Sequence, residues 1–173
     1  VSWNDAMDFC KWLSAKTGMK VNLPTEAQWE FACRAGSDEA FSFGALDGDY
    51  SKYANVADKT FATGGITGRS DRGLFVIAAD LESLISEGVD LADRTFDDKT
   101  IVTAAVDQFR PTAFGLKNMH GNVAEWTRSL YKAYPYDADD GRNDESAIGD
   151  RVVRGGSFFD PPQRSRSAFR LAY

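Results

Sequence analysis

The 173-residue chain predicts one α+β domain, and three observations carry that expectation. Two short helical patterns stand close together near the start. A long remainder follows, rich in glycine and aromatic residues, in which short apolar segments alternate with turns. The composition, 43% hydrophobic and 13% aromatic, is that of a chain that buries a core rather than one that stays disordered.

Each element has a local signal. Ser2 with Asp5 three residues on makes a capping box, and Trp3, Met7, Cys10 and Leu13 recur at helical spacing. That predicts a helix from Ser2 to about Lys16, stopped by Gly18, with Trp12 off the apolar stripe and exposed. Thr25 with Gln28, just after Pro24, is a second capping box. Helix two should run to about Ala35, stop at Gly36 and bury Trp29. Residues 37–73 show no sustained period. Thr63–Gly68 is glycine-rich but lacks the lysine and the preceding strand of a phosphate loop, so it reads as loop. Leu74, Ile77, Ala78, Leu81, Leu84 and Ile85 share one face of an amphipathic helix over 74–87, either a lid or partner helix or one packed on its own domain. Arg151–Phe159 and Ser167–Leu171 read as short strands, and 133–149 as a long surface loop.

Composition also excludes. Twenty basic against 26 acidic side chains leave a net charge of −6, opposite to the basic excess of a nucleic-acid binder. Leu74–Ala79 is the longest apolar run and is too short for a membrane span. Cys10 and Cys33 lie in helical, apolar settings and read as buried thiols; whether they pair is open. A zinc site would need further ligands, and the single histidine, His120, lies in the loop described next.

Gly115–Trp126 is the densest chemical segment. Asn118 and Glu125 offer side-chain oxygens, and a sharp turn at Gly121 lets the carbonyls of Gly121 and Val123 point at the same spot. Hard oxygen donors on a turning backbone suit calcium. The competing reading is a tight turn with an asparagine cap, anchored by a buried Trp126. A third feature is Arg151, Arg154, Arg164, Arg166 and Arg170 within twenty residues. They form either a cationic surface for a carboxylate, sulfate or phosphate, or a set of internal ion pairs.

Four blocks, in order, carry a family resemblance: Val1–Cys10, Leu23–Gly36, Gly115–Trp126 and Arg151–Phe159 with Arg166–Arg170 after it. Together they resemble the formylglycine-generating enzyme, or sulfatase-modifying-factor, family. The resemblance implies a variant of the C-type-lectin-like fold, a single domain over 1–173 incomplete at both ends, and an insertion at 66–95. It supports the calcium set Asn118, Gly121, Val123 and Glu125. It adds a second, with Asn55 and Asp98 giving side-chain oxygens and Val56 and Thr100 giving carbonyls. The family's oxidase converts a substrate cysteine to formylglycine with oxygen and copper, using two cysteines after the Gly-Gly-Ser block. Here those positions fall on Asp160 and Ser165, hard oxygen donors that do not hold Cu(I) as thiolates do.

Copper is therefore not expected, and the chain leans toward a pseudoenzyme. The expected function is a binding module for a peptide, glycan or protein partner, with Ser157, Arg164 and Arg166 as candidate ligand-binding residues. The alternatives are a sulfatase-modifying oxidase, or the accessory domain of a non-heme iron enzyme whose histidine ligands lie elsewhere. The resemblance leans toward a bacterial protein in an exported or periplasmic setting.

Overall fold

The structure is a computed structural model that describes residues 1–63 and 92–173. The helix expected over 74–87, the Gly-rich segment after Thr63 and most of the 66–95 insertion lie outside those residues. Helix α1 spans Trp3–Thr17, α2 spans Glu26–Arg34 and α3 spans Lys59–Thr63. Strands β1 (Glu125–Leu130), β2 (Arg151–Arg154) and β3 (Leu171–Ala172) form one antiparallel sheet in that order. This mixture of helices and a small sheet is the α+β class that the sequence predicts.

Local chemistry accounts for the helix ends. Ser2 and Thr25 each accept the amide three residues on, while Asp5 and Gln28 reach back to the capping amides. Gly18 closes α1 in the left-handed region. α2 ends one residue earlier than expected, because Ala35 itself takes the left-handed conformation at φ 48°. α3 was not legible from periodicity. Its signal is Asp58, whose carboxylate accepts the Phe61 amide at 2.9 Å and caps the turn. Met7 and Cys10 are buried on α1 and Trp12 is 53% exposed, as the stripe requires.

The strands are shorter than their apolar runs. β2 stops at Arg154 because Gly155 and Gly156 both adopt positive φ. A Cβ at Gly156 would meet the Ser165 hydroxyl at 2.4 Å, so the chain turns there over Ser165. The expected strand at Ser167–Leu171 shrinks to Leu171–Ala172, since the carbonyls of Ser167 and Phe169 are taken by the Arg154 guanidinium instead of a ladder. The loop at 133–149 is irregular as expected, but it is not wholly surface: Arg142 is 1% exposed, stacked over Tyr136 and paired with Asp140.

The arginine cluster is mostly interior, which corrects the cationic-surface reading. Arg154, wholly buried, pairs with Glu30, lies 3.9 Å from Glu26 and sits over the Trp29 ring. Arg170 pairs with Glu26, which is itself 0% exposed, and is sandwiched between Tyr131 and Tyr134. Arg151 donates to the carbonyls of Arg128, Asp144, Glu145 and Ala147 and stacks on Trp3. Only Arg166 is exposed; Arg164 is intermediate and lies 3.7 Å from Asp160. The reason is that α2 presents Glu26 and Glu30 to β2, and buried carboxylates require cations.

Trp29 is buried as expected, but Trp126 is only half-buried. On β1 it alternates away from Glu125, donates to the Val1 carbonyl and packs against Tyr173. A mutation tests the interior ion pairs. Arg154→Ala leaves Glu26 and Glu30 short of their cation and should cost about 3–5 kcal/mol in urea unfolding. A loss under about 1 kcal/mol, the range of a surface pair, would show that the cluster does not hold α2 to the sheet.

Candidate functional site

The loop 118–125 buries its 119–122 stretch in the described structure. It leaves a short apolar contact of Met119 with Trp29 and Cys33, turns at Gly121 and enters β1 at Glu125. Gly121 forms a parallel bridge to Asn55 and donates its amide to the Gly155 carbonyl at 2.7 Å. A Cβ there would sit 1.9 Å from the Asn55 carbonyl oxygen, at φ +76°, so only glycine fits. Asn122 then donates to the Asn55 carbonyl, while its side-chain oxygen accepts from Asn55 Nδ2 at 3.1 Å and the Ala104 amide at 2.8 Å. Asn122 is a residue that sequence reasoning missed. It joins the two oxygen-rich segments, and nothing local signals a partner 67 positions away.

The two expected calcium sets can be tested against these surroundings. Asn118 Nδ2 donates to the Val106 carbonyl, while its Oδ1 is buried with no hydrogen-bond partner. Asn55 Nδ2 donates to Val102 and Asn122, and its Oδ1 is also buried and without a partner. Orphaned buried carbonyl oxygens are costly unless something electropositive meets them. Their occurrence at the two asparagines expected to ligate makes both sets fit a hard cation. Glu125, half-buried on β1, accepts the Trp29 indole N–H at 2.6 Å and has its carboxyl pushed up by desolvation, partly offset by that bond. Val123 is 49% exposed, and its role would be through its carbonyl.

The second set is brought together across more than forty positions. Asp98 Oδ2 accepts the Val56 amide at 3.2 Å and Oδ1 accepts the Thr100 amide at 2.8 Å. Burial, with the Asp58 carboxylate nearby, pushes its carboxyl up to about 7. If calcium binds, Asn55, Val56, Asp98 and Thr100 would hold it at one set and Asn118, Gly121, Val123 and Glu125 at the other. The ion would then supply the positive charge that the buried oxygens lack.

Asp160 and Ser165 occupy the positions where the family resemblance sets its cysteines. Asp160 Oδ2 accepts both the amide and the hydroxyl of Ser157, at 2.9 and 2.7 Å, so Ser157 is half-buried and already engaged. Ser165 is wholly buried under Gly156, its hydroxyl unpaired, its carbonyl accepting from His120 Nδ1 at 2.8 Å. Neither side chain is a soft donor, and copper(I) does not fit them. Cys10 and Cys33 are buried free thiols in the helices. Burial pushes the Cys33 thiol up to about 12, so it is not a thiolate near neutrality.

His120 does not ligate through its ring. The imidazole is buried against Phe41 and Phe43, donates from Nδ1 to Ser165 and accepts the Ser42 amide at Nε2 at 3.1 Å. Burial pulls its pKa down to about 4, with the Ser165 contact working the other way. In front of it opens a pocket of about 180 Å³, walled by the stacked Phe43 and Tyr53 rings, Arg110, Thr112 and Asn118. No feature of the sequence marked this pocket, because its walls come from three separated segments.

A small α+β domain, with a glycine-turned oxygen-rich loop docked on a second such segment and two oxygen side chains after a Gly-Gly-Ser turn, defines the class. The chain belongs to the family described as sulfatase-modifying factor enzyme 1-like domain, which matches residues 1–173. It is 31% identical over 162 residues to the formylglycine-generating enzyme of Mus musculus, covering 91% of this chain and 34% of that protein. It is 30% identical over 160 residues to the inactive Cα-formylglycine-generating enzyme 2 of Bos taurus, covering 92% and 38%. The chain thus spans about a third of the length of these relatives. Among solved structures, PvdO from Pseudomonas aeruginosa superposes with a TM-score of 0.66 at 26% identity, covering 100% of this chain and 54% of that one. CarF, at 19% identity and a TM-score of 0.55 over 100% and 60% of the two chains, shares the fold.

Two measurements check the site. Calcium at about a hundred times its Kd should stabilise the chain by about 2.7 kcal/mol per site relative to chelator, read as a rise in melting temperature. Glu125→Gln, which keeps an acceptor for Trp29, should remove much of that rise. An unchanged rise would remove Glu125 from the ligand set. The second concerns the only histidine. Its folded pKa lies below its unfolded value, so the unfolded chain binds the extra proton. Its contribution is therefore complete above pH 6.5 and lost as pH falls toward 4. In chelator, the parent should lose about 2 kcal/mol more than His120→Gln between pH 7.5 and pH 5. Asp98, with its carboxyl pushed up, stabilises both chains as pH falls and cancels in the comparison. Equal slopes for the two chains would mean the imidazole is not held neutral.

Proposed function

We propose that this chain is a calcium-stabilised domain, on a C-type-lectin-like variant of the α+β fold, that lacks oxidase activity and binds a peptide, glycan or protein partner. The observation that carries the reading is the pair Asp160 and Ser165. Formylglycine generation needs soft thiolates where these two stand, and each is committed elsewhere: Asp160 to Ser157 and Arg164, Ser165 beneath Gly156. A carboxylate and a buried hydroxyl supply neither a Cu(I) ligand nor a thiol for exchange.

The pocket at Phe43, Tyr53 and Arg110 supports a binding role. It backs onto Ser165 through His120, and its rim loop carries Phe114, an exposed ring that packs on the exposed Phe31. Exposed aromatics beside a guanidinium are common at recognition surfaces. Arg164 and Arg166 add cationic edges after the Gly-Gly-Ser turn. Both kinds of relative, the active enzymes and the inactive one, match at similar identity, so the side chains at positions 160 and 165 carry the decision.

The test is direct. The chain, supplied with copper(I), oxygen and a sulfatase-type cysteine peptide, should leave the peptide mass unchanged. Conversion of the cysteine to an aldehyde, lost on changing Cys10 or Cys33, would restore the oxidase reading and move its thiols to the helices.

A further inference from the structure

The Asn55–Asp98 set has a carboxylate beside it that the ligand pattern does not include. Asp58 is 0% exposed, and both of its oxygens are used. Oδ1 accepts the Phe61 amide at 2.9 Å, and Oδ2 accepts the Asp98 amide at 2.5 Å. Asp98 in turn accepts the Val56 amide, so the segments 55–58 and 96–100 hold each other by reciprocal carboxylate-to-amide bonds. The backbone bridge between Asp58 and Asp93 extends the same contact.

This arrangement leaves charge uncompensated. Asp58 and Asp98 are both buried, and among the described residues neither forms an ion pair with a lysine or arginine. Asp97, next in sequence, is bound to the Thr60 hydroxyl and has Lys99 and Lys59 near it, so the uncompensated pair is Asp58 and Asp98. Two buried carboxylates without a cation are expensive. An independent sign points the same way: the adjacent Asn55 is 1% exposed and keeps Oδ1 buried and unpartnered. A negative cluster and an orphaned carbonyl oxygen, on segments already clamped together, together want one hard cation.

We propose that Asp58 is the positioning residue of this metal site. It acts through its hydrogen bonds: Oδ1 accepts the Phe61 amide at the start of α3, and Oδ2 fixes the Asp98 amide. It sets the Asp98 backbone where the Asp98 carboxylate must stand, and its charge raises the affinity of the set for a divalent ion over a monovalent one. The inference rests on the calcium reading above.

The experiment starts from Glu125→Gln, which silences the other set, and adds Asp58→Asn. Calcium binding is followed by titration calorimetry, and the melting temperature is read in chelator. Outer-shell partners of metal ligands cost about 10–100-fold in affinity when changed, so the Kd for calcium should rise at least about tenfold. If the parent binds two calcium ions and Glu125→Gln binds one with the same Kd in the presence and absence of Asp58→Asn, the role of Asp58 is overturned while the calcium reading stands. If the parent binds none, the calcium reading itself fails. Should Asp58→Asn not fold, hydrogen exchange on Glu125→Gln decides. The Asp98 and Thr100 amides should exchange at least about tenfold more slowly with calcium than with chelator. Unchanged exchange at both amides overturns the proposal.

Discussion

One buried cation ties α2, the central strand and the chain leading to β3 together. Arg154, on the central strand, reaches Glu26 and Glu30 on α2 and the carbonyls of Ser167 and Phe169 on the way to β3, with Trp29 stacked beneath it. A three-stranded sheet with a two-residue edge strand has little apolar area of its own. Helix α2, the sheet and the chain after Gly156 are therefore tied through polar groups that must all be satisfied at once. The same arrangement draws in Arg170, Tyr131 and Tyr134, so the long 133–149 loop is held from beneath. Arg154 and Arg170 turn inward because α2 places Glu26 and Glu30 on its inward face.

A second constraint meets the first at Gly155. The Gly121 amide reaches the Gly155 carbonyl just past β2, and the Gly121 backbone lies flat against Asn55. The turn after β2, the loop before β1 and the 54–58 segment thus share one close-packed junction where no side chain fits at position 121. Both oxygen-rich sets lie on its flanks, joined through Asn122. A cation bound at either set would brace the junction, which is why a structural ion and a small sheet are compatible in one domain.

The positions that carry family chemistry sit at the edge of this junction rather than in it. Asp160 closes a hydrogen-bonded turn on Ser157, and Ser165 packs under Gly156. The fold keeps its shape with oxygen side chains there, since the turn needs an acceptor and the interior needs a small group. Fold and activity are separable on this scaffold for that physical reason: the scaffold asks for size and hydrogen bonds, while the oxidase asks for soft sulfur.

The sequence by itself determined whatever is settled within about four residues. Both capping boxes, the Gly18 stop and the exposure of Trp12 follow from local hydrogen bonding and periodicity, and they stand in the structure as read. The family could also be read from its motifs, because these residues are the ones the junction needs. Only the tertiary structure decided the rest. It turned the arginine cluster inward, left Trp126 half-buried at the sheet margin and shortened two strands, each through partners far along the chain. It also set Asp58 against Asp98 and Asn122 against Asn55, forty and 67 positions apart. Such pairings cannot be read locally, because the sign of a buried charge's partner is fixed by packing, and packing is a property of the whole chain.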